Sequence, residues 1–547
     1  MLCSTRRLLS HPLTLCTALL AIGTTAFPQI AGVQMPRAMP EIVKRDGRYA
    51  LMVDGAPFLM LGAQVNNSSA WPSSMPQVWP TAAAMHLNTL EAPVYWEELE
   101  PTEGHFDFAQ VDMLVDQSRQ HGVHLVLLWF GTWKNGSGHY TPQWMKLDTT
   151  KYPHVVNAKG VAVDSLSPHA KATLEADKAA FTALMRHLKT KDPQHTVIMV
   201  QVENESGTWG SVRDHSPAAE ALFKQNVPDA ALKATGKQQG GSWQKVYGDE
   251  ADGFFHSWYV ATYINEVAAA GKAEYPLPMY VNAALRDPIH PGKQGSWESG
   301  GPTDDVLPLW KAAAPSIDVI GPDIYMSEYN KYTAALDLYA RPDNPLMVPE
   351  TGNGAEYARY CFAAVGRGAI GWAPFGMDTT GYSNAPLGAA KIDEAALKQF
   401  AFNFAVLRPI DRIIAQLNFE GKVKGASEDE SVHSQRLDFG DWTAVVSYGL
   451  PQFGSGTAAP GNKTAEGEAL VAQLGPNEFL VSAYAARVDF EPAGKLAGKQ
   501  RQFLAVEEGS YVGEKWTRSR IWNGDQTDYG LNFVSAPQLL RVTLATY

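Results

Sequence analysis

The sequence predicts an α/β chain: a (β/α)8 TIM barrel of parallel strands followed by an antiparallel β-sandwich. Three observations carry this. Apolar runs that read as strands buried on both faces alternate with stretches of helical spacing through most of the chain. Several of those runs end abruptly in polar or aromatic residues, as in TVIMVQVENESGTWG, where Glu203, Asn204 and Glu205 close an apolar run. Past about residue 410 the texture changes to short alternating runs separated by Gly, Pro, Asn and Asp. The 547 residues suffice for a barrel of about 250 with accessories. The expected division is a signal peptide at 1–26, a linker at 27–44, the barrel at 45–408 and the sandwich at 409–547.

Taken in order, GRYALMVDGAPFLMLGAQVNNSS reads as a hairpin turning at Asp54-Gly55, then a first barrel strand ending near Gln64. NTLEAPVYW is the second strand. Apolar positions Val111, Leu114 and Val115 fall at helical spacing before Gly122, a helix stop, and VHLVLLWFGTW is strand three. A long excursion over 134–168 precedes a helix from about Ala170 to Lys189, which leads into the strand ending at Glu205. LPMYVNAAL, IDVIGPDIY, PLMVPE and GAIGWAPFG complete eight strands. A barrel's site lies at the C-terminal ends of its strands, where Gln64, Trp96, Trp129, Glu205, Asn282, Tyr325, Glu350 and Trp372 gather. Downstream, DWTAVVSYGL, EFLVSAYAARVDFEP, RQFLAVEEGSYV and QLLRVTLATY read as sandwich strands, and FGSGTAAPGNKTAEGE as an exposed loop.

A net charge of -12 argues against nucleic acid or an anionic membrane as partner and leaves an uncharged ligand as the default. Arg6 and Arg7, the apolar run Leu13 to Ile22, and small residues ending at Ala26 read as an export signal, too short to span a bilayer core of about 30 Å. The expectation is an exported protein, periplasmic or extracellular. Removing that segment takes Cys3 and Cys16 and leaves Cys361 alone, so no intramolecular disulfide is expected.

The chemistry centres on two carboxylates. Glu205 ends strand four and Glu350, in NPLMVPETGNG, ends strand seven. Glycosidic cleavage needs one carboxylic acid to protonate the leaving oxygen and a second to attack carbon or activate water. Separations of roughly 5–5.5 Å imply retention and roughly 6.5–9.5 Å inversion. Burial or the neighbouring charge would keep the proton on the acid. Strict alternation puts Glu203 and Glu205 on one face and Asn204 on the other, so the pleat must break for Asn204 and Glu205 to act together; otherwise Glu203 competes as the acid. Tyr325 either caps the barrel or holds the nucleophile ionised, and Trp372 is either core or a sugar platform. No HExxH, thiolate zinc set, phosphate loop or GxSxG is present, so no metal and no cofactor are expected.

LNTLEAPVYWEELEPTEGHFDF, QHGVHLVLLWFGTW and above all VIMVQVENESG resemble glycoside hydrolase family 35, the β-galactosidase family, over most of residues 45–380. The resemblance implies Glu205 as general acid/base, Asn204 as partner of the sugar 2-hydroxyl and Glu350 as nucleophile of a retaining double displacement. Two departures stand out. Thr132 falls where the family's third strand carries a Glu, and Pro93 replaces a second-strand tyrosine. They mark a divergent branch, and Trp129, Trp133 and Asn135 become candidates for reading the axial 4-hydroxyl. The expected function is an exo-β-galactosidase acting on terminal β-galactosyl groups, such as those of xyloglucan side chains. The alternatives are an endo-acting mannanase or glucanase of the same clan, and a glycan-binding protein without catalysis.

Overall fold

The computed structural model describes residues 37–449, 458–534 and 536–547. The expected signal peptide, the linker up to residue 36 and residues 453–457 of the sandwich loop lie outside these. Residues 37–547 cluster as one compact unit.

Eight strands close into a parallel barrel: β1 (Met60–Gln64), β2 (Thr89–Tyr95), β3 (His124–Lys134), β4 (Val197–Asn204), β5 (Met279–Ala284), β6 (Val319–Ile324), β7 (Val348–Thr351) and β8 (Gly371–Pro374). Each pairs with the next in sequence, and β8 closes on β1, with Trp372 opposite Leu61. All of β1, β2 and β4 is buried, because the helices cover one face and the barrel interior takes the other. This is why these strands read as continuous apolar runs. Among the helices, Lys171–Lys191 buries Ala180, Phe181, Leu184, Met185 and Leu188 on one stripe. It packs on Ala251–Glu274 so closely that a Cβ on Gly271 would lie 2.3 Å from the Phe181 ring.

The hairpin at Asp54-Gly55 is present, Arg48–Val53 pairing with Ala56–Phe58. Its outer partner, Glu41–Arg45, is a strand where the sequence predicted the end of a linker. That strand is exposed and charged, so its alternation is faint. The 134–168 excursion holds a helical turn, Gln143–Lys146, and a two-stranded ribbon, His154–Val156 with Ala162–Leu166.

After helices Glu394–Leu407 and Asp411–Phe419 come two antiparallel sheets. Strands are β9 (Val423–Ser427), β10 (Ser434–Asp438), β11 (Trp442–Tyr448), β12 (Glu468–Gly475), β13 (Glu478–Tyr484), β14 (Ala486–Pro492), β15 (Arg501–Val512), β16 (Lys515–Ile521), β17 (Leu531–Phe533) and β18 (Leu540–Thr546). One sheet runs β9-β12-β13-β18-β15-β16 and the other β10-β11-β14-β17. Period-two patterning decides which way each side chain points. Val471, Phe479 and Val481 join Trp442, Val446 and Phe490 in the sandwich core, whereas Leu470, Ala472, Leu480 and Tyr484 belong to the barrel's core. The larger sheet therefore docks its outer face on the barrel. The contact is close enough to demand glycine: a Cβ on Gly425 of β9 would meet the Phe362 carbonyl at 1.8 Å. Arg359, 3% exposed, ties the same seam by donating to the carbonyls of Ser327, Glu428 and Ala465.

Candidate active site

Glu205 and Glu350 meet at the C-terminal mouth of the barrel, as their strand-end positions predicted. With Asp323 of β6 they form a cluster whose carboxylate oxygens, one from each, all lie within 4.8 Å of one another. Asp323 and Glu350 are direct register partners on adjacent strands. The Tyr325 hydroxyl donates to Glu350 Oε1. On the other flank, Asn282 Oδ1 accepts the Glu205 backbone N–H at 2.8 Å and its amide donates to Asp323 Oδ2 at 2.6 Å. Asn282 thus pins the end of β4 to β6.

The pleat does break. Glu203 and Glu205 both have left-handed backbone, φ +63° and +41°, a conformation that costs a non-glycine residue about 1–3 kcal/mol and gathers at functional sites. Glu203 is turned into the helix layer, where its Oε2 accepts the Trp133 backbone N–H at 2.7 Å beside Asp177. Burial, and then the charge of Asp177, push the Glu203 carboxyl well up. Asn204 is fully buried, and neither atom of its amide has a protein partner.

Electrostatics at the mouth follow from crowding acids in a buried place. Glu350 is pushed up to about 7 by burial and then by the charge of Glu205, opposed by Lys134, the Tyr325 hydroxyl and Gln64. Asp323 is raised well above the carboxylate range by burial and the charges of Glu350 and Glu205. Tyr325 is pushed well up by burial and by Glu350, which keeps its proton available for donation. The arrangement can therefore hold one acid protonated beside one ionised carboxylate. The same three carboxylates are, among the described residues, the group whose oxygens could meet a single cation. Tyr325 and Asn282 already engage two of them.

Trp372 requires a correction as a substrate-binding residue. Its indole is 1% exposed, donates to the Tyr332 hydroxyl at 3.0 Å, and stacks on Phe400 of the covering helix. On β8 it is Ala373 that faces inward, against the position of a Cβ on Gly62. Trp129 and Trp133 are likewise buried, their indoles donating to Asp177 and Ser165. Thr132 also donates to Asp177, so the first of the two departures noted from the sequence resemblance faces the helices here. The register of β3 shifts between Trp129 and Lys134, and it is Lys134 and Asn135 that reach the mouth.

Three residues of the site were not singled out from sequence. Asp323, near the end of β6, sits two positions before Tyr325, a spacing that extended backbone puts on one face and that could have found it. Lys134 ends β3 beyond its register shift. Glu298 lies in the long connection after β5, buried beside Gly136 and Gly207, and is pushed well up by burial and Glu205.

Comparison with known proteins adds the following. Residues 70–270, which include Glu205 and stop before Glu350, match the model of glycoside hydrolase family 42, described as beta-galactosidase. Its number is 42, where the sequence resemblance named 35; the β-galactosidase-like glycoside hydrolase character is common to both. Residues 400–534 match a domain of unknown function. A beta-galactosidase of Xanthomonas manihotis is 28% identical over 189 residues, 33% of this chain and 29% of that relative, so the chain spans under a third of its length. Among solved structures, the beta-galactosidase from Bacillus circulans sp. alkalophilus aligns at TM-score 0.47 and 14% identity, over 66% of this chain and 57% of that one. The enzyme from the psychrophilic Marinomonas ef1 aligns at 0.48 and 14%, over 65% and 61%.

Proposed function

We propose that this protein is an exported, retaining exo-β-galactosidase, with Glu205 as general acid/base and Glu350 as nucleophile. The observation that carries the reading is the approach of the Glu205 and Glu350 oxygens to within 4.8 Å at the ends of β4 and β7. That spacing leaves little room for the water an inverting pair holds between carboxyls roughly 6.5–9.5 Å apart.

In this mechanism Glu205 protonates the glycosidic oxygen while Glu350 attacks the anomeric carbon from the opposite face, giving a galactosyl ester and a free alcohol. Water then attacks the anomeric carbon as Glu205 takes its proton, displacing the Glu350 carboxylate and releasing galactose with its configuration retained. With the proton on Glu205, the charge that raises Glu350 is gone, and Lys134, Tyr325 and Gln64 favour the ionised nucleophile. Asn204, its amide unpaired in the protein, takes the sugar 2-hydroxyl, an interaction that strengthens as charge develops at the anomeric centre. Export to the periplasm or beyond, and galactosyl groups of xyloglucan as substrate, belong to the same reading and rest on the N-terminal sequence and the departures at Thr132 and Pro93.

The test is hydrolysis of a panel of para-nitrophenyl glycosides, with lactose and xyloglucan, by the mature protein. Turnover of the β-galactoside, with galactose the only sugar freed from the polymer, is expected. Oligosaccharide products without galactose would overturn the exo-galactosidase assignment.

A further inference from the structure

Glu298 reaches the barrel mouth from the long connection between β5 and the helix Leu307–Ala313, and the chemistry above gives it no part. We infer that Glu298 is a positioning residue for the acid: with Glu205 it forms a carboxyl pair that holds one proton between its members, and this keeps a proton ready for the leaving oxygen at neutral pH. The inference rests on the proposed role of Glu205 as general acid/base and deepens it by naming the group that governs its proton.

The backbone presses Glu298 between the two loops that carry Glu205. On one side the Thr208 N–H donates to the Ser299 carbonyl at 2.8 Å and the Ser299 N–H to the Thr208 carbonyl at 3.1 Å, which joins the residue after Glu298 to the turn that follows Glu205. On the other side the Gly136 N–H donates to the Glu205 carbonyl at 3.0 Å. The Glu298 carboxyl fills the space between. Its Oε1 lies 2.5 Å from where a Cβ on Gly136 would stand and 3.0 Å from one on Gly207. A side chain at either glycine would displace the carboxyl from behind the acid.

The surroundings serve a charge poorly there. Glu298 is 3% exposed, and its Oε1 has no hydrogen-bond partner in the protein. The charges that bear on it are those of Glu205 and of Lys134, whose Nζ is bonded to Asn135 Oδ1. His256, on the helix Ala251–Glu274, packs under the same connection, its ring 2.7 Å from the position of a Cβ on Gly300 and 2.9 Å from the Thr208 hydroxyl. Burial pushes that imidazole down to about 3, so it adds no positive charge. Two neighbouring carboxyls with so little compensation resist ionising together, and the last proton leaves the pair at a higher pH than it would leave a lone carboxyl.

In the first step Glu205 gives that proton to the glycosidic oxygen as the bond to the anomeric carbon breaks and Glu350 forms its ester. The pair is then doubly charged, which makes Glu205 a stronger base toward water in the second step, and the proton taken from water restores the pair.

The experiment compares phenyl β-galactoside, whose leaving oxygen needs a proton, with 2,4-dinitrophenyl β-galactoside, whose leaving group departs as a stable anion. Glu298→Gln is expected to move the basic limb of the phenyl galactoside kcat/KM profile by about one pH unit or more toward lower pH, a loss of about tenfold or more on that limb. Dinitrophenyl galactoside should stay within about twofold. Glu298→Asp, with its carboxyl one methylene further back, should give a limb between the two. An unshifted limb overturns the pair, and so do equal losses on both galactosides at every pH, which would mean that Glu298 only braces the loops. If calorimetry shows that the Gln variant does not fold, the Asp profile decides, and a limb at the unaltered position overturns the pair. No turnover of dinitrophenyl galactoside by the unaltered protein would overturn the β-galactosidase reading, and the pair with it.

Discussion

The hydroxyl of Tyr325, two residues past Asp323, donates its hydrogen bond to Glu350 Oε1 from the end of the neighbouring strand. A phenol whose own proton is held by burial can stabilise an adjacent carboxylate without neutralising it. The proposed nucleophile is thereby oriented and kept toward its ionised form.

Tyr325→Phe should lower kcat by about 10- to 100-fold, the worth of one charge-assisted hydrogen bond of roughly 1.5–3 kcal/mol. Because the hydroxyl lowers the Glu350 pKa, its removal raises it, and the acidic limb of the kcat/KM profile moves to higher pH. An unshifted limb would separate Tyr325 from the nucleophile.

Glu203→Gln tests the broken pleat. Burial and Asp177 push the Glu203 carboxyl well up, and an amide in its place can still accept the Trp133 N–H. Turnover should stay within about tenfold of the unaltered protein. A loss as deep as that of Glu205→Gln in the same assay would hand the acid role to Glu203.

Trp372→Ala should destabilise the fold by about 3–5 kcal/mol through the cavity left against Phe400 and Phe404. Calorimetry should show a lower Tm with KM unchanged in the folded fraction. A raised KM at unchanged Tm would restore Trp372 as a sugar platform.

Glu468, buried at the sandwich seam and accepting from Gln399 at 2.8 Å, is raised to about 8 by burial. A carboxyl raised on folding favours the folded state fully below its unfolded value, near 4.3, and loses that contribution as pH climbs through about 8. Glu468→Gln should therefore raise Tm more at pH 8 than at pH 5, with thermal unfolding across that range as the readout. A Tm difference independent of pH would contradict the assignment.

The barrel was legible because a strand covered on both faces must be apolar along its length, and Thr196 to Val202 is so except for Gln201. Glu205 and Glu350 stood out as acids at the ends of such runs, with Glu203 as the competitor of Glu205. The sandwich strands were legible from alternation, although β12 and β13 are apolar on both faces because one sheet serves two cores. What the sequence hid was side-chain direction where the strand departs from an even pleat. Left-handed Glu203 and Glu205, the register shift in β3, and Trp372 turned outward on β8 all break simple alternation. Glu298 was hidden differently: it reaches the site from a long connection, and only the fold sets it beside Glu205.

Azide distinguishes the two acids. Glu350→Ala and Glu205→Ala should each lose several orders of magnitude in kcat, and azide should rescue the Glu350 variant as a galactosyl azide of inverted configuration. Rescue of the Glu350 variant with retained configuration would exchange the two roles.

Glu350 should form a covalent bond to galactose during turnover, and trapping measures that bond directly. The protein is incubated with 2-deoxy-2-fluoro-β-galactosyl fluoride, digested, and the labelled peptide sequenced by mass spectrometry. Inactivation and one fluorogalactosyl group on Glu350 are expected. Turnover of β-galactosides with no covalent mass, or the label on Glu203 or Asp323, would contradict it.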